Sequence, residues 1–425
     1  MSNLYHQLEA LFHQFIDRTQ KHKDQAFSFP WLHPQGESFP LLPDYLKLHQ
    51  FAPTPFRKWA NQRLAPLPKL WNSLVWPQIQ NTITHKIQTK YLADLAHHHQ
   101  APKALNPDLQ AQLITPFTRL TQKPPASIRH ATFTDLYYFL NETLKIFCTH
   151  LELPVDIYGP MKKAHTMTCL KLYKAIRPEV LSHPTAFELA CFLAIRANWI
   201  DCVEDNAAEH LVGFIEEANT LLEDLEPLQL NLHHNPYFQL RQVKQKLSTP
   251  QTILYELDNA GEVLLDLIFI EILLKQGHRI ILGAKAQPVL NDMTYPELIH
   301  LLTHPELAHL TPYRDQGQLM IFNTESIVAG KYLPHASEAY KAAYQAATLL
   351  LLKGQGNFQT MPMGKKVKGK FTPYPYAKPM IYMLGMKAPF IAACFSSILT
   401  QGPAPLIQMP FLYLFDAKDP NTYPK

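Results

Sequence analysis

Thr252-Ile253-Leu254-Tyr255-Glu256-Leu257-Asp258-Asn259-Ala260-Gly261-Glu262-Val263 is the stretch from which the rest of this chain can be read. An apolar, strand-like run from Thr252 stops at two oxygen-bearing side chains, and an apolar, helix-like run follows from Val263 to Lys275. Strand, polar stop and helix make up the unit of a parallel sheet, which gathers its ligands at the carboxyl ends of its strands. A carboxylate beside an amide at such an end offers hard oxygen donors to a divalent cation. The pattern then recurs. Arg279–Leu282 reads as a strand, Tyr295–Leu302 as a helix, and Asp292 in Leu290-Asn291-Asp292-Met293-Thr294 lies between them as a second candidate ligand. Either acid taken singly could be a helix N-cap. Capping explains one residue at a time, but not the recurrence of acid and amide pairs.

Toward the carboxyl terminus, Gln318–Phe322, Ala339–Ala346, Thr348–Leu352, Ala377–Leu384 and Phe390–Cys394 keep up the alternation of short apolar runs and helix-like stretches. This predicts a doubly wound, mainly parallel, Rossmann-like α/β domain with right-handed crossovers over residues 236–425. Asn323 and the loop Lys353-Gly354-Gln355-Gly356-Asn357 also fall past strand ends, so independent loops converge on one crevice. Residues 136–235 read as a helical cap domain, joined to the sheet by a polar connection containing Asn235-Pro236. Residues 1–135 read as an additional helical amino-terminal region broken by prolines, with Trp31, Trp59, Trp71 and Trp76 as packing anchors.

Composition narrows the function classes. The 39 Lys and Arg barely exceed the 35 Asp and Glu, and a net charge of +4 without clustering gives no case for nucleic acid. Five scattered cysteines with no C-x-x-C argue for reduced, buried thiols. The most apolar stretch, Leu264–Leu274, is interrupted by Asp266 and Glu271, so no membrane span is expected. A cytoplasmic protein is the expectation.

The motifs resemble those of the metal-dependent damage-control phosphatases, the domain-of-unknown-function 89 family. Asp258-Asn259-Ala260-Gly261-Glu262 is similar to its metal-binding signature and Asn291-Asp292-Met293-Thr294 to its Asn-Asp-x-Thr motif. Lys353-Gly354-Gln355-Gly356-Asn357 is similar to the Lys-Gly-x-Gly-Asn loop of one branch. Asn198-Trp199-Ile200-Asp201 and Asp156-Ile157-Tyr158 with Lys162 resemble two upstream motifs. The departures are Ala197 for a Gly, Ile157 for a Pro and Thr166 for an Asn. The resemblance covers roughly residues 150 to 395, with five motifs in the expected order.

The resemblance implies that Asp258, Asn259 and Asp292 hold a divalent metal (Mn, Mg, Co or Ni) and carry the catalysis. It also implies that Asn198, Lys353, Gly354, Gly356 and Asn357 bind phosphate or substrate, Lys353 as a point charge and Asn198 from the cap. Asp201 reads either as a partner in that role or as a helix cap or counter-ion of Arg196. Glu262 reads as a first-turn acid favoured by the helix dipole. The expected partner is a small phosphorylated metabolite, sugar phosphates first; a protein partner is left open for the amino-terminal region. The rival readings are an S-adenosylmethionine-dependent carboxyl methyltransferase, a catalytically silent binding module and a dinucleotide-binding oxidoreductase. The missing G-x-G-x-x-G weakens the last. Three weaker signals are His97-His98-His99, the zinc-like spacing of His300 and His304, and the Lys365, Lys366, Lys368, Lys370 run as a loop over an anion.

Overall fold

The computed structural model describes residues 2–24, 76–123, 131–199, 212–218, 220, 235–331, 333, 336–374, 378–387, 392, 395–396, 398–399 and 409–424. They fall in two compact units, one ending at Pro160 and one beginning at Met161.

In the first unit, helices α1 (Ser2–Asp24), α2 (Trp76–Lys86), α3 (Pro107–Thr121) and α4 (Phe133–His150) enclose an aromatic core. Phe139 stacks on Phe15 at 4.8 Å and on Phe117 at 5.6 Å. A reciprocal capping box between Thr132 and Asp135 starts α4 by satisfying two helix-end donors. Trp76 is buried and donates its indole N–H to the Thr121 carbonyl at 2.7 Å; Trp31, Trp59 and Trp71 lie outside the described residues. His99 Nε2 meets two acceptors, the carbonyls of Asp156 (2.9 Å) and Ile157 (3.1 Å), so that nitrogen carries a proton and is not available to a metal.

The second unit contains the sheet. Strands β1 (Thr252–Glu256), β2 (Arg279–Ala284), β3 (Leu319–Asn323), β4 (Leu349–Lys353), β7 (Met380–Gly385) and β8 (Pro410–Phe415) lie in the order β3-β2-β1-β4-β7-β8. All neighbours pair in parallel except β8, which closes the edge antiparallel to β7. Leaving β1, the chain winds outward through β2 and β3 and then returns to place β4 on its other side. The switch point therefore falls between β1 and β4. Helix α5 (Gly159–Ser182) crosses into this unit and α6 (Ala186–Arg196) follows it. Helix α7 (Val263–Lys275) links β1 to β2 and is buried from Val263 to Leu274, which explains an apolar run without a polar face.

Two weak signals find structural explanations. Helix α8 (Tyr295–Leu301) stops before His304, which caps the next turn by accepting the Glu306 N–H, so His300 and His304 do not share a helix. The lysine run forms an antiparallel hairpin, β5 (Gly364–Val367) with β6 (Lys370–Pro373). Its Phe371 packs edge-on against Phe415 and Tyr423, and Phe415 pairs with Met380, the first residue of β7. The hairpin is thus anchored at the amino-terminal edge of the sheet, away from the strand ends where ligands gather.

Candidate active site

Glu256 ends β1 and Lys353 ends β4, side by side at the switch point, so the loops beyond them share one crevice. Asn357 ties these strand ends together. Its Nδ2 donates to the carbonyls of Leu257 at 3.3 Å and Lys353 at 2.8 Å. Gly354 has φ +75°, and a Cβ there would fall 1.7 Å from Asp258 Oδ2. Only glycine lets the Asp258 carboxylate lie against this backbone.

The loop after β2 is zipped to the loop after β1. Ala260 N–H donates to Asn291 O at 2.9 Å, Met293 N–H donates to Asp258 O at 2.8 Å, and Asn259 faces Asp292 across an isolated antiparallel bridge. Just beyond, a Thr294–Glu297 capping box starts α8, and the buried Lys162 ammonium binds Glu297 at 2.8 Å. The three residues expected as metal ligands, Asp258, Asn259 and Asp292, are brought together.

Asn198 joins them from the turn after α6. Its Nδ2 donates to Asp258 Oδ2 at 2.9 Å and Glu262 Oε2 at 3.0 Å, while its Oδ1 accepts the Gly385 N–H at 3.1 Å. Both ends of the amide are committed within the cluster, whereas the sequence suggested a donor to sugar or phosphate. Trp199 packs against Gly385, and Arg196 lies over the indole at 4.5 Å with its guanidinium bound to Glu217. Asp201 lies outside the described residues.

Lys353 differs most from expectation. It is fully buried, 2.8 Å from Asp266 Oδ1, 3.7 Å from Glu262 Oε1, and bonded to the Ala194 carbonyl. Burial pulls its pKa down, but Asp266, Glu262 and Asp258 outweigh that and hold it above the usual lysine value. The acids of α7 claim this ammonium, which has no exposed surface for a phosphate.

The sequence reading missed Glu262, Asp266, Lys285 and Lys387 as members of the site. Glu262 and Asp266 are one helical turn apart and wholly buried; Asp266 also accepts from Tyr255 at 2.9 Å. Burial and Glu262 push Asp266 up to about 7, against the pull of Lys353. Lys285 sits 3.4 Å from Asp292. Lys387, half-buried two residues past β7, acts on Asp258. A signal was available, because an acid inside an otherwise apolar helix needs a buried partner.

Asp258 registers the resulting imbalance. Burial, then Asp292, then Glu262 drive its pKa well above the carboxylate range, against Lys387 and the Asn198 hydrogen bond. Among the described residues, five acids (Glu256, Asp258, Glu262, Asp266, Asp292) face four ammonium groups (Lys285, Lys331, Lys353, Lys387). Among the described residues no three His, Cys, Asp or Glu side chains form a ready-made metal cage. The donor set instead is two carboxylates and the amide oxygen of Asn259, whose nitrogen is given to Glu262 at 3.2 Å. Hard oxygens with a charge deficit suit a divalent cation, so the residues present fit one. Among the described residues no helix is long and apolar enough to cross a membrane.

Comparison with known proteins gives the family and the fold. A family model described as "Damage-control phosphatase ARMT1-like domain" matches residues 77–397. The damage-control phosphatase PH1575 of Pyrococcus horikoshii is 28% identical over 176 residues, 41% of this chain and 53% of that protein. The uncharacterized protein MJ0202 of Methanocaldococcus jannaschii is 28% identical over 109 residues, 26% of this chain and 32% of its own length. This chain therefore spans about half or less of the curated relatives it matches. A crystal structure of a DUF89 family protein from Pyrococcus horikoshii superposes with a TM-score of 0.55 at 18% identity, covering 80% of this chain and 97% of that one, which establishes the fold. On the family match over most of its length, this chain belongs to the damage-control phosphatase ARMT1-like domain family.

Proposed function

We propose that this protein is a metal-dependent phosphomonoesterase of the branch with a Lys-Gly-x-Gly-Asn loop, acting on small phosphorylated metabolites, sugar phosphates first. The observation that carries the reading is the convergence of Asp258, Asn259 and Asp292 at the switch point of the sheet, with Asn259 facing Asp292 across an isolated bridge and the Asp258 carboxylate packed against Gly354. Asp258, Asn259 and Asp292 are the ligands for manganese, magnesium, cobalt or nickel. When bound, the cation screens the ester's charge and either lowers the pKa of an attacking water or orients it in line.

The chain's own residues do the rest. Asn198, held by Glu262 and the Gly385 N–H, fixes the Asp258 carboxylate; Gly354 and Gly356 let the loops touch, and the Asn357 amide closes the strand ends. Lys353 pairs with Asp266 and lies 3.7 Å from Glu262, offsetting their charge. Of the ammonium groups Lys285, Lys353 and Lys387, Lys387 is the one not fully buried and so can meet an ester phosphate. Among the described residues, Trp199 is covered by Gly385 and Arg196 and so is not free to stack on a base, which favours sugar phosphates over nucleotides. The test is phosphate release from a panel of sugar, nucleotide and cofactor phosphates by chelator-stripped protein resupplied with each metal. Release from sugar phosphates only on adding metal is expected; metal-independent release, or none from any ester, would overturn the reading.

A further inference from the structure

We infer that Lys285 is a positioning residue for the cation-binding loops. Its fixed internal ammonium sets the Asp292 carboxylate and, through the strap Thr324–Lys331, the spacing of Asp292 from Asp258. The inference rests on the ligand reading above.

Lys285 is the first residue past β2, and its side chain is 2% exposed. Nζ lies 3.4 Å from Asp292 Oδ2 and donates to the carbonyls of Val328 at 3.1 Å and Gly330 at 2.8 Å. Neutralising Asp292 would take one donor. The two carbonyls show the ammonium is also a knot in the strap, and Ser326 Oγ reinforces it by donating to Gly330 O at 2.9 Å.

Gly330 carries the contact to the far side of the crevice. It has φ +74°, and a Cβ there would fall 2.2 Å from the Gly356 carbonyl. The next N–H, that of Lys331, donates to Thr360 Oγ1 at 2.9 Å, and that hydroxyl donates to Gly356 O at 2.9 Å. Two residues before Gly356 stands Gly354, with the Asp258 carboxylate against it. The contacts close a ring: Asp292, Lys285, Gly330, Gly356, Gly354, Asp258. The Asn259–Asp292 bridge completes it. The two ligands cannot separate without moving packed backbone, and ligand-holding partners of this kind are worth about 10–100-fold in metal affinity.

The experiment is manganese binding by calorimetry, at one pH, on folded and chelator-stripped wild type, Lys285→Met, Lys285→Gln, Gly330→Ala and Asp292→Ala. Gln keeps a donor for the strap but no charge, so it decides the matter should Met fail to fold. Both Lys285 variants are expected to bind manganese about tenfold or more weakly. Gly330→Ala, which keeps the Lys285 charge, should weaken binding as well, and wild-type affinity there would overturn the role of the strap. Wild-type affinity in Lys285→Gln, with only a lower melting temperature, would reduce Lys285 to a stabilising role and overturn the inference. Tighter binding would make it a competitor of the cation, with the same consequence. Asp292→Ala separates the two levels, because binding retained there would sink the ligand assignment itself.

Discussion

Gly354→Ala tests the contact on which the site's geometry turns. At φ +75° an alanine pays the left-handed backbone cost of ~1–2 kcal/mol. Its methyl would also sit 1.7 Å from Oδ2, 2.2 Å from Cγ and 2.7 Å from Oδ1 of Asp258, so rotating the carboxylate cannot clear it. Ordinary contact begins near 3.4 Å, so Asp258 or the loop must retreat by about 1.7 Å. Overpacking of this kind adds ~1–3 kcal/mol. The sum, ~2–5 kcal/mol, corresponds to a melting temperature lower by about 5–10 °C. The control is Gly317→Ala, at φ +67° with nothing within 4 Å of the added carbon, which carries the backbone cost alone. A ligand moved by more than an ångström leaves metal-bonding range, so Gly354→Ala should also lose about tenfold or more in manganese affinity, and Gly317→Ala none. Scanning calorimetry and metal titration on both variants decide it. Equal melting losses in the two, with wild-type metal binding in Gly354→Ala, would refute the reasoning.

Lys353→Met leaves Asp266 buried without its counter-ion, so a loss of ~3–5 kcal/mol in stability is expected, with part recovered by Asp266→Asn in the same chain. Unchanged melting with a raised KM alone would return Lys353 to the phosphate. Glu271 is buried, which favours its neutral form, but hydrogen bonds from His309, Arg177 and Lys275 outweigh that and hold its pKa well below the carboxylate range. A carboxyl depressed in the folded state stabilises above the unfolded pKa near ~4.3, and that contribution is lost as pH falls toward the folded value. The stability gap between wild type and Glu271→Gln should hold above about pH 5 and shrink by ~1.4 kcal/mol per pH unit below about pH 4. A gap flat from neutral to acid would contradict the assignment.

The strand and helix rhythm from Thr252 to Leu352 was legible because each crossover carries its own pattern. Val263–Lys275 is a helix at the bounds its apolar run suggests, and β1 to β4 fall within a residue or two of theirs. Strand β8 was not legible, since Pro410–Phe415 is a short, uniformly apolar run that periodicity cannot assign. Of the run Phe390–Cys394 only Ala392 is described, and it is helical. Asp258, Asn259 and Asp292 could be found because each follows a strand. The electrostatics could not, because they depend on side chains far apart in sequence. Asp266 and Glu271 served in the sequence only to rule out a membrane span. In the structure one is the partner of Lys353 and the other of Arg177, Lys275 and His309. Lys353 looked like a phosphate ligand because nothing local reveals that α7 brings Asp266 to it. Lys285 left no local trace either, since its acceptors, Val328 and Gly330, are more than 40 residues away.

The role proposed for Asp258, Asn259 and Asp292 is to hold a divalent cation needed for phosphate ester hydrolysis. It is tested most directly by titrating manganese into chelator-stripped wild type and Asp292→Ala while following phosphate release from a sugar phosphate, with circular dichroism to verify both folds. Release should rise from zero and saturate with metal in wild type and stay absent in the folded variant. Wild-type turnover in Asp292→Ala, or full turnover in the stripped wild type, would contradict it.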